Sequence, residues 1–120
     1  MGMKCEKLNV WRDSVALSSD VYKYFIKLKD FNFKSQITKS SLSIPSNIAE
    51  GMEKASIKDR IRFLDIAKGS AAEFATQTYI GIEIDYIEDS KGKEWIKKAE
   101  NIMAMITKLQ QNLWNRTNEK

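Results

Sequence analysis

Histidine is absent from the 120-residue chain, and cysteine occurs once, at Cys5. Without imidazole there is no histidine general base, no Ser–His or Cys–His dyad and no histidine-ligated metal. A single thiol builds neither an internal disulfide nor a thiolate zinc site, and it suits a reducing compartment. No apolar run approaches the roughly 20 residues that a membrane span needs. Lys4, Glu6 and Lys7 are not followed by the apolar stretch of a signal peptide. Gly2 opens no myristoylation motif, because Glu6 stands where Ser or Thr is required. The expected compartment is the cytoplasm, with no membrane partner. Proline occurs once and glycine five times, which argues against disorder and against a loop-rich β fold. Carboxylates alone could hold Mg²⁺ or Ca²⁺, but no Ca²⁺-loop motif supports this, so neither metal nor cofactor is expected.

What is present is helical periodicity. With 42% hydrophobic residues and three tryptophans the chain can bury one core, as a single domain spanning residues 1–120. Helix 1 is predicted from about Asn9, as N-cap, to Lys29, with Trp11, Val15, Ser18, Val21 or Tyr22, Phe25 and Leu28 at helical spacing. Asp30, Phe31 and Asn32 are expected to turn the chain. Helix 2 should run from Phe33 to Gly51, whose missing Cβ suits a left-handed terminal residue. Helix 3 should start after Ser56, which with Asp59 resembles a capping box, and end around Tyr86. Its apolar residues cover two adjoining faces, Ile57, Ile61, Leu64, Ala71 and Ala75 beside Phe63, Ile66, Ala67 and Phe74, more than one neighbour can cover. Helix 4 should follow Ser90 and reach Arg116, on the regular stripe Trp95, Ala99, Ile102, Ile106, Leu109, Leu113. Four helices with short turns imply an all-α, antiparallel up-and-down four-helix bundle.

The segment "SIPSNIAEG", Ser43 to Gly51, places Pro45 inside helix 2. Pro45 cannot donate to the Ser41 carbonyl and crowds that turn, which costs roughly 3 kcal/mol in an ordinary helix interior. Ile37, Ser41, Ile44 and Ile48 keep their phase across it, so one helix kinked at Pro45 is expected rather than two. Beside that apolar stripe runs a polar one, Gln36, Ser40, Ser43, Asn47 and Glu50. Ser and Asn compete for backbone partners inside helices, and a solvated face is more often filled by Lys and Glu. The stripe therefore reads either as specific polar contacts, between helices or between subunits, or as a half-exposed flank. Glu50 has no second catalytic group beside it and reads as a capping or interface residue.

The segments "LNVWRDSVAL", "SLSIPSNIAEG" and "RFLDIAKGS" occur here in an order and spacing that resembles the four-helix-bundle proteins encoded by intervening sequences within bacterial 23S ribosomal RNA genes. The resemblance runs from about Lys7 to Leu113. It implies an antiparallel bundle, often a homopentamer, and no enzymatic activity. Members are similar to accessory proteins of diversity-generating retroelements, which bind nucleic acid and a reverse transcriptase. This chain departs from the family's tendencies at Thr38 and Lys39, where arginines are usual, and at Glu53–Lys54 and Arg60.

The charge is modest and reads either as the solvated surface of a small soluble protein or as a binding end. Net charge is +4, from 20 basic and 16 acidic residues. In an up-down bundle one end would collect Lys4, Lys7, Arg12, Lys54, Lys58, Arg60, Arg62, Lys108, Arg116 and Lys120, against Glu6, Asp13, Glu50, Glu53, Asp59 and Glu119. Repeated around a homo-oligomeric ring, such an end would bind RNA or DNA phosphates with a steep salt dependence. No RNA-recognition signature accompanies it, and Trp11, Trp95 and Trp114 read as packing residues rather than stacking platforms. As an accessory protein it would serve an rRNA intervening sequence or a reverse transcriptase; the alternative is a protein–protein scaffold that docks another protein in its pore or along helix 3 and never touches nucleic acid.

Overall fold

The structure, a computed structural model, describes residues 2–118. A 3-10 turn, Lys4–Lys7, precedes four helices: α1 Asn9–Tyr24, α2 Phe31–Met52, α3 Ile57–Glu83 and α4 Asp89–Asn118. Each helix packs on the next and α4 closes back on α1, which makes the expected four-helix bundle, about 52 × 25 × 20 Å. Cross-contacts run antiparallel: Ser18 meets Ser41, Ser43 meets Ser70, and Lys68 meets Thr107.

The core is one cluster built from the stripes of all four helices. Leu17, Val21 and Phe25, Ile37, Ile44 and Ile48, Leu64, Ala71 and Phe74, and Trp95, Ile102, Ile106 and Leu113 are all buried. Burying each large aliphatic or aromatic side chain among these contributes roughly 1.5–3 kcal/mol before entropy is charged against it. At one end Tyr24, Phe25, Phe33, Phe74 and Trp95 interlock with ring centroids 5.1–5.9 Å apart, mostly edge to face. In α1 the buried face is Val10, Ser14, Leu17, Ser18 and Val21; Val15 and Tyr22, expected inside, face outward.

Several predicted ends move, each for a visible reason. α1 stops at Tyr24, not Lys29. Phe25 turns into the aromatic cluster, and the Lys34 ammonium then serves the carbonyls of Ile26 and Leu28 at 3.3 and 3.2 Å. Asn9 is the first helical residue rather than the cap, with Leu8 before it. Asp30 does not lie in a free turn but is the N-cap of α2: its carboxylate accepts the Phe33 N–H at 3.1 Å and the Tyr86 hydroxyl at 2.7 Å.

α3 ends at Glu83, because Asp85 takes the left-handed conformation with φ 64°. The Tyr86 N–H then reaches back to the Gly81 carbonyl at 2.8 Å, and the Asp85 N–H to Ile82 at 3.1 Å. That is a Schellman closure with Asp where Gly is usual. Ser56 caps α3 as expected, accepting the Asp59 N–H at 3.1 Å.

Gly51 corrects the reading of the signature segment. It lies inside α2, which continues to Met52, and no glycine has positive φ among the described residues. Its missing Cβ serves a close approach instead. A Cβ there would sit 2.9 Å from Phe63 Cβ and 3.4 Å from the Arg60 carbonyl oxygen. Pro45 is buried, and α2 runs through it without interruption, as the unbroken phase of the apolar stripe requires.

Candidate nucleic-acid interface

The polar stripe of α2 is largely a seam between helices. Ser43 and Ser70 hydroxyls meet at 2.8 Å, and Ser70 also donates to the Ile66 carbonyl at 3.1 Å. Since Ser70 has one proton, Ser43 is the donor between them. Asn47 Nδ2 completes the chain, donating to Ser43 Oγ at 2.9 Å and to the Ser43 carbonyl at 2.8 Å. One turn along, Ser40 donates to Gln77 Oε1 at 2.6 Å. On the other flank of α2, the buried Ser18 and Ser41 hydroxyls meet at 3.1 Å and tie α1 to α2. No described buried side-chain polar atom lacks a partner, so these hydroxyls avoid the cost of a buried unpaired polar group. Gln36 and Glu50 are exposed at the two ends of the seam and take no part in it.

The basic residues assemble at the end where α1 begins, α2 turns into α3 and α4 finishes. The N-terminal segment is pinned there by the Lys4 backbone N–H, which donates to the Glu53 carboxylate at 3.3 Å. The eight cations expected to form an interface divide into two groups. Arg12 is used structurally: its guanidinium donates to the Glu6 carbonyl and to Asn9 Oδ1, fastening the 3-10 turn to α1. Arg60 Nε donates to the Lys54 carbonyl at 2.8 Å and holds the α2–α3 turn. Lys54 and Arg62 both lie over the Phe63 ring, at 4.7 and 4.9 Å from its centroid, and Arg62 also approaches Asp59 at 3.8 Å.

Lys4, Lys7, Lys58 and Arg116 are exposed, and they make no ion pair with any described residue. Lys120 and Glu119, assigned to the same end, lie outside the described residues. The opposite end is mixed: Lys23, Lys27, Lys29 and Lys97 are exposed there and make no ion pair with any described residue, while three other lysines are paired. Lys91 pairs with Asp20 at 2.8 Å, Lys93 with Asp89 at 2.8 Å, and Lys98 with Glu94 at 3.1 Å. Burial pushes the Asp20 carboxyl up, but hydrogen bonds from Lys91 and Trp95 outweigh it and hold the group below its usual value. The Asp20 partnership raises Lys91 in turn.

Lys58 and Arg116 share a groove of about 640 Å³ with Ala55, Ile57, Ile61, Trp114 and Thr117. Packing within the chain accounts for Trp95, fully buried with its indole N–H on Asp20 at 2.8 Å, and for the half-buried Trp11. It does not account for Trp114, which is 57% exposed. Apolar surface is also left open on α3, at Ile66, Tyr79 and Ile80, at Ile84 just beyond it, and around the α1–α2 turn, at Tyr22, Ile26 and Phe31. Among the described residues no cluster of acidic or thiol ligands could hold a metal, and no helix is long and apolar enough to cross a membrane.

Comparison with known proteins gives a related structure and a family. A crystal structure of a protein of unknown function from the S23 ribosomal protein family of Bacteroides thetaiotaomicron VPI-5482 superposes with a TM-score of 0.79 at 25% identity, covering 84% of this chain and 97% of that one. A search among curated proteins finds no match. Residues 6–108 match the family model described as 23S rRNA-intervening sequence protein.

Proposed function

The chain belongs to the 23S rRNA-intervening sequence protein family, and from that premise we propose that it is a non-enzymatic, homo-oligomeric accessory protein that holds the phosphate backbone of RNA or DNA at its basic end. The observation that carries the reading is the group of exposed cations, Lys4, Lys7, Lys58 and Arg116, that no described acid neutralises and that gathers where α1 begins, α3 starts and α4 finishes. The uncovered apolar residues of α3 supply a face for neighbouring copies, and a ring of five would set five such ends side by side. Weak single sites then add through avidity. The partner is an rRNA intervening sequence or the nucleic acid of a reverse transcriptase, and the compartment is the cytoplasm.

Binding of a structured RNA, followed as salt rises from low to physiological, tests this. Affinity should fall steeply, and Lys58→Gln with Arg116→Gln should flatten the log–log slope by about one per contact removed. Equal affinity at both salt concentrations removes the proposal.

A second reading, a scaffold with no nucleic acid, is favoured by one observation: Ile26 and Phe31 are 72% and 76% exposed beside Tyr22, at the end away from Lys58 and Arg116. Purification with and without nuclease separates the two. Nucleic acid released by salt supports the first, and a clean protein absorbance supports the scaffold.

A further inference from the structure

Trp114 stands between two grooves of unlike chemistry. On one side are the Lys58 and Arg116 cations and the Ile57 side chain. On the other are Gln111, Asn115 and Asp65. Trp114 and Ile61 line both grooves, which meet along these two side chains. An indole face is apolar and polarisable and stacks on any base. The ammonium and guanidinium groups attract phosphate. Exposed side-chain amides present the donor–acceptor pairs that read base edges. The Asp65 carboxylate, already engaged by Gln110 Nε2 at 3.0 Å and near Lys68 at 3.8 Å, makes the amide side unfavourable for phosphate, which fixes the polarity of the arrangement.

We infer that this end of the bundle holds an unpaired nucleotide, with its base against Trp114, its phosphate toward Lys58 and Arg116, and its polar edge toward Gln111 and Asn115. The cationic groove, at about 640 Å³, is within the range of roughly 300–1,000 Å³ of small-ligand pockets. The inference rests on the nucleic-acid reading above and sharpens it: the ligand is single-stranded, because a base inside a duplex has no free face to stack. A protein segment is the competing occupant, but the unpaired cations beside the indole favour a phosphate-bearing ligand over an apolar one.

Fluorescein-labelled oligouridine and an RNA duplex of the same length are titrated against the full chain by anisotropy. The wild type is compared with Trp114→Phe, Trp114→Ala and the Lys58→Gln/Arg116→Gln pair. Trp114→Ala should weaken oligouridine binding by about 5- to 150-fold, the effect of losing one stacked base, and leave its salt slope unchanged. Trp114→Phe should keep most of the affinity, and duplex binding should respond to the cation pair alone. Quenching of tryptophan emission by oligouridine in the wild type, lost in Trp114→Phe, is the direct signature. If single strand and duplex bind alike and Trp114→Ala changes neither, stacking is overturned while phosphate binding stands. If neither probe binds, both readings fall. If Trp114→Ala instead lowers the oligomer mass, the indole belongs to a contact between copies and the inference is overturned. Melting temperatures of the exposed-site variants check that the fold is intact.

Discussion

The hydroxyl of Ser43 donates to that of Ser70 across 2.8 Å and ties the signature segment to α3. A hydroxyl pair of this kind contributes only about 1 kcal/mol net, because water competes for both partners in the unfolded chain. Its value is in register: one hydrogen-bonded chain, Asn47 to Ser43 to Ser70 to Ile66, admits one alignment of the two helices. A double-mutant cycle with Ser43→Ala and Ser70→Ala, read by urea unfolding, should give a coupling of about 0.5–1.5 kcal/mol. Because the seam lies within the chain, the oligomer mass should not change. Dissociation in Ser43→Ala would place the seam between copies instead.

Gly51 and Gly69 are both helical, and alanine should act on them with opposite sign. Alanine gains about 1 kcal/mol over glycine in a helix interior. At Gly69 an added methyl meets nothing within 4 Å, so Gly69→Ala should stabilise by about that amount. At Gly51 it would lie 2.9 Å from Phe63 Cβ, an atom fixed to the α3 backbone that cannot swing aside. Overpacking costs roughly 1–3 kcal/mol, so Gly51→Ala should be net destabilising by about 1 kcal/mol. Chemical denaturation of both variants checks this; equal gains would refute the close approach of α2 to α3.

The Asp20–Lys91–Trp95 cluster should set an acid limb on stability. Asp20 titrates lower in the folded chain than in the unfolded one. Its contribution is therefore fully present above the ordinary carboxylate value of about 3.9, and it is lost as pH falls through the lower, folded value. Lys91 is shifted up, so its contribution holds below its ordinary value and is lost as pH rises through the folded one. Asp20→Asn keeps an acceptor for the Trp95 N–H but removes the charge. Thermal melts from neutral to acid pH should then show a shallower fall than the wild type below about pH 4. An unchanged acid limb would mean that other carboxylates dominate it.

Arg12 should behave as a structural cation rather than a binding one. Its guanidinium fastens the 3-10 turn that buries Cys5. Arg12→Gln should loosen this turn by about 1 kcal/mol, which raises the rate of Cys5 labelling by a thiol reagent roughly fivefold. Its slope of RNA affinity against salt should match the wild type. A flattened slope with unchanged labelling would return Arg12 to the interface.

Helix number, order and core stripes are legible in the sequence because they depend on period alone. Ile37, Ile44 and Ile48 announce the buried face of α2, and the stripe from Trp95 to Leu113 announces that of α4. The end of α1 is not legible, since Phe25 and Leu28 continue the helical spacing beyond the point where the chain leaves the helix. The closure at Asp85 is hidden for a related reason: an aspartate takes the left-handed position that glycine usually marks. At the candidate interface, Trp114 was within reach of periodicity. It follows Leu113, the last member of the buried stripe, and one residue further along a helix turns the side chain by about 100°, out of the core.

Alternation of apolar and polar residues by itself determined four helices and the faces they bury, since removing those faces from water is the dominant driving force and each face is written locally. Which cations remain available was decided only by tertiary structure. Arg12, Arg60, Lys58 and Arg116 are alike as letters, but the Glu6 and Lys54 carbonyls come within reach of the Arg12 and Arg60 guanidiniums only where the folded chain turns just ahead of α1 and α3. Folding gave Arg12 and Arg60 such partners and left Lys58 and Arg116 beside an open indole. The same holds for Gly51: its purpose is set by Phe63, on another helix, and by an approach too close for one more carbon atom.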